Sequence, residues 1–259
     1  MYHRVGDFPD RMPTHRGQYC HLPRFKAQMG MLRRLGYPVI SLDTAVAGLR
    51  GEAELPPRAV ALTFDDAYVD FLEHAAPVLA EHGYPACVYA VAGKLGGHSD
   101  WVAPEGLSPA PLMNAAQLKE VQAMGFTVGS HTLSHPRLAT LDSAASITRE
   151  LADSRKVLQD VLGSPVEHFC YPYGSHDLRA VEAAAAAGYL TGTTCLRAAA
   201  TPADDLLTLP RKAVHQGTTA FGLFWKLLAR NAYKSAPIRR NPLQLPLLLR
   251  RTKSCASWA

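Results

Sequence analysis

The sequence predicts an α/β architecture in which a parallel sheet, covered by helices, closes or nearly closes into a β/α barrel. Three observations carry this. First, a helical pattern ends at glycine, an aromatic follows and a β-rich run begins at Gly36-Tyr37, Gly83-Tyr84, Gly125-Phe126 and Gly188-Tyr189. Second, the β-rich runs are short and almost continuously apolar, as strands buried on both faces are. Third, helices and strands alternate through the greater part of the chain, which yields six or seven strands. An open doubly wound sheet is the alternative, but no glycine-rich phosphate loop follows any strand.

Each element has its own justification. A first strand ends near His3. Apolar residues at helical spacing mark helices over 23–35, 70–82, 114–124, 142–162 and 178–187; in the fourth, Ile147, Leu151, Leu158 and Leu162 share one face. Strands are predicted over 39–42, 59–64, 87–91, 127–129, 166–171 and 190–194. At the four junctions glycine accepts the left-handed conformation that ends a helix, and the aromatic packs back on the helix just completed. Residues 96–113 form a long stretch rich in Gly and Pro on the same rim as the strand ends, which suits a loop walling a cleft. Beyond 220, Phe221, Phe224, Trp225 and Leu228 recur at helical spacing, and Leu243-Gln244-Leu245-Pro246-Leu247-Leu248-Leu249 precedes Arg250-Arg251.

The 259 residues, 47% apolar and 19% charged, allow one sizeable core and exclude disordered, collagen-like and coiled-coil chains. No run reaches the roughly 18 apolar residues that span a bilayer, and the N-terminus carries no apolar signal core. Five scattered cysteines without a CxxC pair indicate a reducing compartment, so the expected location is cytoplasmic. The net charge of +5 is uneven. Residues 1–205 hold all 22 acidic residues against 17 basic ones, whereas 206–259 hold ten basic residues and no acidic one. An acidic body with a basic extension argues against nucleic acid as partner and for peripheral contact of the extension with an anionic membrane. The chain therefore divides into a catalytic unit, 1–220, and a basic, partly apolar extension, 221–259.

Chemistry in a parallel barrel sits at the C-terminal ends of the strands. There the strand 59–64 ends in Asp65-Asp66, the strand 127–129 runs into Ser130-His131-Thr132-Leu133-Ser134-His135, and the strand 166–171 into Pro172-Tyr173-Gly174. Successive side chains on a strand point apart, so Asp65 and Asp66 can serve different tasks. His131 and His135 share a face if the segment turns into a helix, the spacing of many zinc-binding pairs. One Asp and two His leave coordination positions open and suit zinc first among the divalent ions. His74, His82, His98, His168 and His176 lack such company and read as structural or solvent-facing.

Thr63-Phe64-Asp65-Asp66, His131-Thr132-Leu133-Ser134-His135 and Phe169-Cys170-Tyr171-Pro172-Tyr173-Gly174, in that order, resemble the first three motifs of the polysaccharide deacetylase family, the NodB-homology or family 4 carbohydrate esterases. Met1-Tyr2-His3-Arg4-Val5 and Leu209-Pro210-Arg211 through His215 resemble the branch related to exopolysaccharide N-deacetylases, so the likeness extends over about residues 1–225. The resemblance implies a distorted (β/α)7 barrel and hydrolysis of the acetamide of an N-acetylated sugar in a polysaccharide, an oligosaccharide or a lipid-linked precursor. It implies Asp65 as general base, Asp66, His131 and His135 as ligands of a divalent metal, and the backbone N–H of Tyr173 as oxyanion donor. The sequence departs from the family at four points: the third motif lacks the Arg that orients the base, Ala67 stands where Gly follows the two aspartates, no fourth motif is recognisable, and the late leucine-X-His motif is matched only loosely by Val214-His215. His215 is the candidate general acid, and His3 a candidate for substrate contact. Two other readings remain open on residues alone, an amidohydrolase of another small amide and a non-catalytic carbohydrate-binding relic.

Overall fold

The computed structural model describes residues 1–8, 17–229, 237, 238 and 240. β1 (Arg4–Gly6) lies parallel to β2 (Tyr19–His21), which runs directly into α1 (Leu22–Arg34). β3 (Val39–Ile40) and β4 (Val60–Ala61) form a second parallel pair, separated in sequence by α2 (Leu42–Leu49). The main sheet has five parallel strands in chain order: β5 (Thr63–Phe64), β6 (Cys87–Ala90), β7 (Thr127–Ser130), β8 (His168–Cys170) and β9 (Thr191–Thr193). Between them run a π-helical turn, Phe71–Ala75, leading into α3 (Ala76–His82), then α4 (Ala115–Ala123), α5 (Ala144–Leu162) and α6 (Leu178–Ala186). α7 (Ala220–Leu228) packs on α1.

The sheet curls back on itself. Tyr2 bridges Phe64 at one edge and Thr193 bridges Leu209 at the other, both in parallel, and the Val214 N–H donates to the Met1 carbonyl at 3.0 Å. The ladder thus passes from β1 through the five strands to 209–214 and returns to β1, the ring of a β/α barrel. Tyr2, Phe64, Val88, Val128 and Phe169 face outward into one apolar cluster with the helices, while Cys87, Tyr89 and Cys170, on the opposite face of their strands, form a smaller cluster inside the ring.

The four glycine junctions form as the sequence predicts, and all four use one geometry. Gly36, Gly83, Gly125 and Gly188 have φ between 63° and 89°. In each, the N–H of the following aromatic reaches back five residues, Tyr37 to Leu32, Tyr84 to Leu79, Phe126 to Val121 and Tyr189 to Ala184, which closes the last helical turn as a Schellman motif does. The Asn114 N-cap of α4 is reciprocated by Gln117 in a capping box.

Two elements differ from expectation. The strand over 39–42 stops at Ile40, because the Ser41 hydroxyl accepts the Thr44 N–H and starts α2, an eight-residue helix the periodicity did not reveal. The run 59–64 divides at Leu62, so that β4 pairs with β3 while β5 pairs with β6. The Leu243–Leu249 and Arg250-Arg251 portion of the extension lies outside the described residues.

Candidate active site

Every residue of the three motifs emerges at the C-terminal rim of the sheet: Asp65-Asp66 from β5, His131 from β7, Pro172-Tyr173 after β8. Asp65 and Asp66 are 3% and 2% exposed and diverge as strand alternation requires, helped by a left-handed Asp66 with φ 74°.

Asp66 faces the two histidines. Its Oδ1 lies 3.4 Å from His131 Nε2 and 3.2 Å from His135 Nε2, yet has no hydrogen-bond partner, while the three ligand atoms fall within 4.8 Å of one another. A buried carboxylate oxygen faced by two imidazole nitrogens without bonding either is the arrangement a shared cation completes, so these residues fit a divalent metal. His131 Nδ1 sits 2.8 Å from the Cys170 carbonyl, which fixes that ring and leaves Nε2 as the ligand atom. Burial pushes His135 below its ordinary pKa, towards the neutral form a ligand needs. For Asp66, burial acts upward, but His131 and His135 hold it well below the usual carboxylate range.

The His131–His135 segment is a loop, not the helix that four-residue spacing suggested. The left-handed backbone of Thr132 and His135, φ 68° and 67°, turns both rings inward, and the Thr132 hydroxyl accepts the His135 N–H. Glu150 of α5 holds the loop from outside, accepting the Leu133 N–H, the Ser134 N–H and the Ser134 hydroxyl. Trp101, from the 96–113 stretch, stacks on His135 at 4.2 Å and 23°, and Tyr173 meets the same ring edge-on at 4.8 Å. That stretch therefore walls the cleft as expected, anchored by Ala110 N–H to Ser99 and by Lys94 to Asp100.

Asp65 is held by Arg211, which the sequence reading quoted without assigning it a role. Arg211 Nη1 and Nη2 donate to Asp65 Oδ1 at 2.6 Å and Oδ2 at 2.8 Å, Nη1 also to Thr63 and Nη2 to the Cys170 sulfur, while Nε donates to the Thr194 carbonyl. Burial would raise the Asp65 pKa, but the Arg211 charge and bonds bring it down to about 2. Asp65, His131 and Cys170 also lie within ligand distance of one another. Both Asp65 oxygens and the Cys170 sulfur are taken by Arg211, so of the two groups the one with Asp66 fits a metal better. The Arg missing from the third motif is thus replaced from the other side of the barrel.

His3 precedes β1, which begins at Arg4, rather than ending a first strand as expected; its Nε2 lies 3.8 Å from Asp65 Oδ2, and burial lowers its pKa. His215 lies further along the rim. Its N–H donates to Thr218, and burial together with the charges of Lys226 and Arg197 lowers it. His168 proves structural, bonded through its two nitrogens to Thr191 and to Asp43 of α2.

The polysaccharide deacetylase family model matches residues 52–192, the stretch carrying all three motifs. The chain belongs to the polysaccharide deacetylase family. Among relatives of this deacetylase, a putative polysaccharide deacetylase of Bacillus subtilis is 28% identical over 228 residues, 86% of this chain and 74% of the relative. A poly-β-1,6-N-acetyl-D-glucosamine N-deacetylase of Staphylococcus aureus is 26% identical, over 62% of this chain and 56% of its own. In fold the deacetylase is similar to the Streptococcus pyogenes deacetylase PplD (TM-score 0.73, 23% identity, 88% and 96% of the two chains) and to IcaB from Ammonifex degensii (TM-score 0.69, 23% identity, 88% and 97%). The barrel is accordingly that of the NodB type, and the reaction class that of the family: metal-dependent hydrolytic removal of N-acetyl groups from sugars, at a carbon–nitrogen bond that is not a peptide bond.

Proposed function

We propose that this deacetylase acts on an N-acetylated sugar within a polysaccharide, an oligosaccharide or a lipid-linked precursor, in the cytoplasm, with zinc as its metal. The observation that carries the reading is the convergence of Asp66, His131 and His135 on one buried point beside an Asp65 locked by Arg211. Two relatives named for poly-β-1,6-N-acetylglucosamine support the polymer class.

A divalent ion held by Asp66, His131 and His135 supplies Lewis acidity to water and to the acetamide carbonyl when bound. Asp65, kept ionised above about pH 2 by Arg211, accepts the proton that the attacking water releases. Arg211, bonded to both of its oxygens, fixes the orientation of that carboxylate. The Tyr173 backbone N–H, on a left-handed turn with φ 58°, donates to the developing oxyanion. For the proton that the leaving amine takes, His3 is better placed than His215, because its Nε2 faces Asp65 at 3.8 Å and can relay the proton Asp65 has gained. The relic reading drew on the missing Arg and the missing fourth motif, and Arg211 removes the first of these supports.

Acetate release from a panel of N-acetylhexosamine oligomers, measured beside bound metal, tests the proposal. Asp65→Asn should retain about one metal ion and lose turnover, whereas His131→Ala and His135→Ala should lose both. Full metal occupancy in both histidine variants would refute the metal site. A basic limb of the pH–rate profile that survives His3→Ala and vanishes in His215→Ala would return the general acid to His215.

A further inference from the structure

α7 divides into two faces. Leu223 is buried, and Phe224 and Leu227 pack against the core, so Phe224 belongs to the inner face and not to the stripe its spacing suggested. Phe221, Trp225 and Leu228 point outward, 73%, 57% and 50% exposed, at steps of four and three residues that align them along one line of the helix. They make up half of the large apolar side chains exposed among the described residues, gathered on nine residues of chain.

The flank of this helix is cationic. Arg197, Lys212, His215 and Lys226 line one cleft beside it, where burial lowers the His215 pKa and the charges of Lys226 and Arg197 act in the same direction. No acidic residue occurs after Asp205, whereas the rest of the chain is net acidic. Among the described residues, the apolar stripe of α7 and this basic cleft therefore lie side by side.

We propose that the outward face of α7 is a docking surface for an anionic lipid bilayer. A tryptophan and a phenylalanine on a helix too short to span, with basic residues at its flank, match an interfacial helix lying in the plane of the headgroups. Charge complementarity favours this occupant over a second copy of the chain, since two such faces would bring like charges together. Each basic residue near an anionic surface strengthens binding by roughly fivefold, and the acidic body turns the molecule so that α7 faces the bilayer. The proposal does not depend on which sugar is hydrolysed.

The test is co-sedimentation of the full chain with vesicles of phosphatidylcholine alone and with added phosphatidylglycerol, at low and high salt. The chain should bind the anionic vesicles, release as salt rises, and lose binding by about tenfold or more in Phe221→Ser/Trp225→Ser/Leu228→Ser, whose side chains leave the core intact. Arg197→Ser should weaken binding several fold. Unchanged melting temperature establishes that the triple variant is folded, and unchanged turnover of a soluble oligosaccharide separates loss of docking from failure of the catalytic reading. Binding that persists in the triple variant, or that is equal on neutral vesicles and insensitive to salt, would overturn the proposal. So would absence of vesicle binding together with a dimer that the same substitutions dissolve.

Discussion

Replacing Arg211 by Met should damage the enzyme twice, through stability and through positioning. Arg211 is 7% exposed and donates to both oxygens of a carboxylate that is itself 3% exposed. Lowering Asp65 from 3.8 to about 2 corresponds to about 2 kcal/mol of favourable interaction, present above pH 4 and lost as pH falls through 2. Methionine also strands a buried charge, which in comparable pairs costs about 3–5 kcal/mol. The variant should therefore lose about 3 kcal/mol or more at pH 7 in urea unfolding, and the deficit should shrink at lower pH, because an unpaired Asp65 can escape by taking a proton. Asp65 then no longer faces the cleft in one orientation, and misplacement on the scale of an ångström costs on the order of 10² in turnover. Arg211→Lys keeps the charge without the fork and should fall between the two. A deficit below about 1 kcal/mol, or near-normal turnover in Arg211→Met, would refute the claim that Arg211 positions the base.

Trp101→Ala removes the ring stacked on His135 and should weaken metal binding by about tenfold, with Trp101→Phe restoring most of it in a metal titration. Ala67 has φ 54°, a conformation only glycine adopts without strain, so Ala67→Gly should leave stability unchanged or raise it by up to about 1 kcal/mol, read as a melting point higher by a few degrees. For Asp205, burial acts upward, yet Arg240 and the Leu207 N–H hold its pKa below 3.8. Its contribution is complete above about pH 4 and lost as pH falls through the lowered value. Asp205→Asn should accordingly lower stability at neutral pH and flatten the acid limb of the stability curve.

What was readable in the sequence was local. The four glycine–aromatic junctions announce themselves because each is closed by bonds between residues five apart, and the motif residues because strand ends collect them. α2 escaped because eight residues hold too few turns for a period to show. The turn of the His131–His135 loop was hidden because left-handed backbone at Thr132, a β-branched residue, contradicts local preference and is enforced by Glu150 from α5. Arg211 was visible as a letter but not as a partner, since only closure of the ring brings it to Asp65.

That distance along the chain has a consequence for how the enzyme comes into being. Asp65 and the residue that steadies it are 146 positions apart, so synthesis delivers the base roughly seven to thirty seconds before its anchor. Until the segment around Leu209 seats against β9 and Val214 reaches Met1, Asp65 lacks the guanidinium that fixes its direction and balances its charge. The hydrolase is switched on by the last seam of its own wall, and the same seam is where it switches off. Under mild denaturant, catalysis should vanish while helices and most of the sheet still stand, because parting one edge unlatches the base.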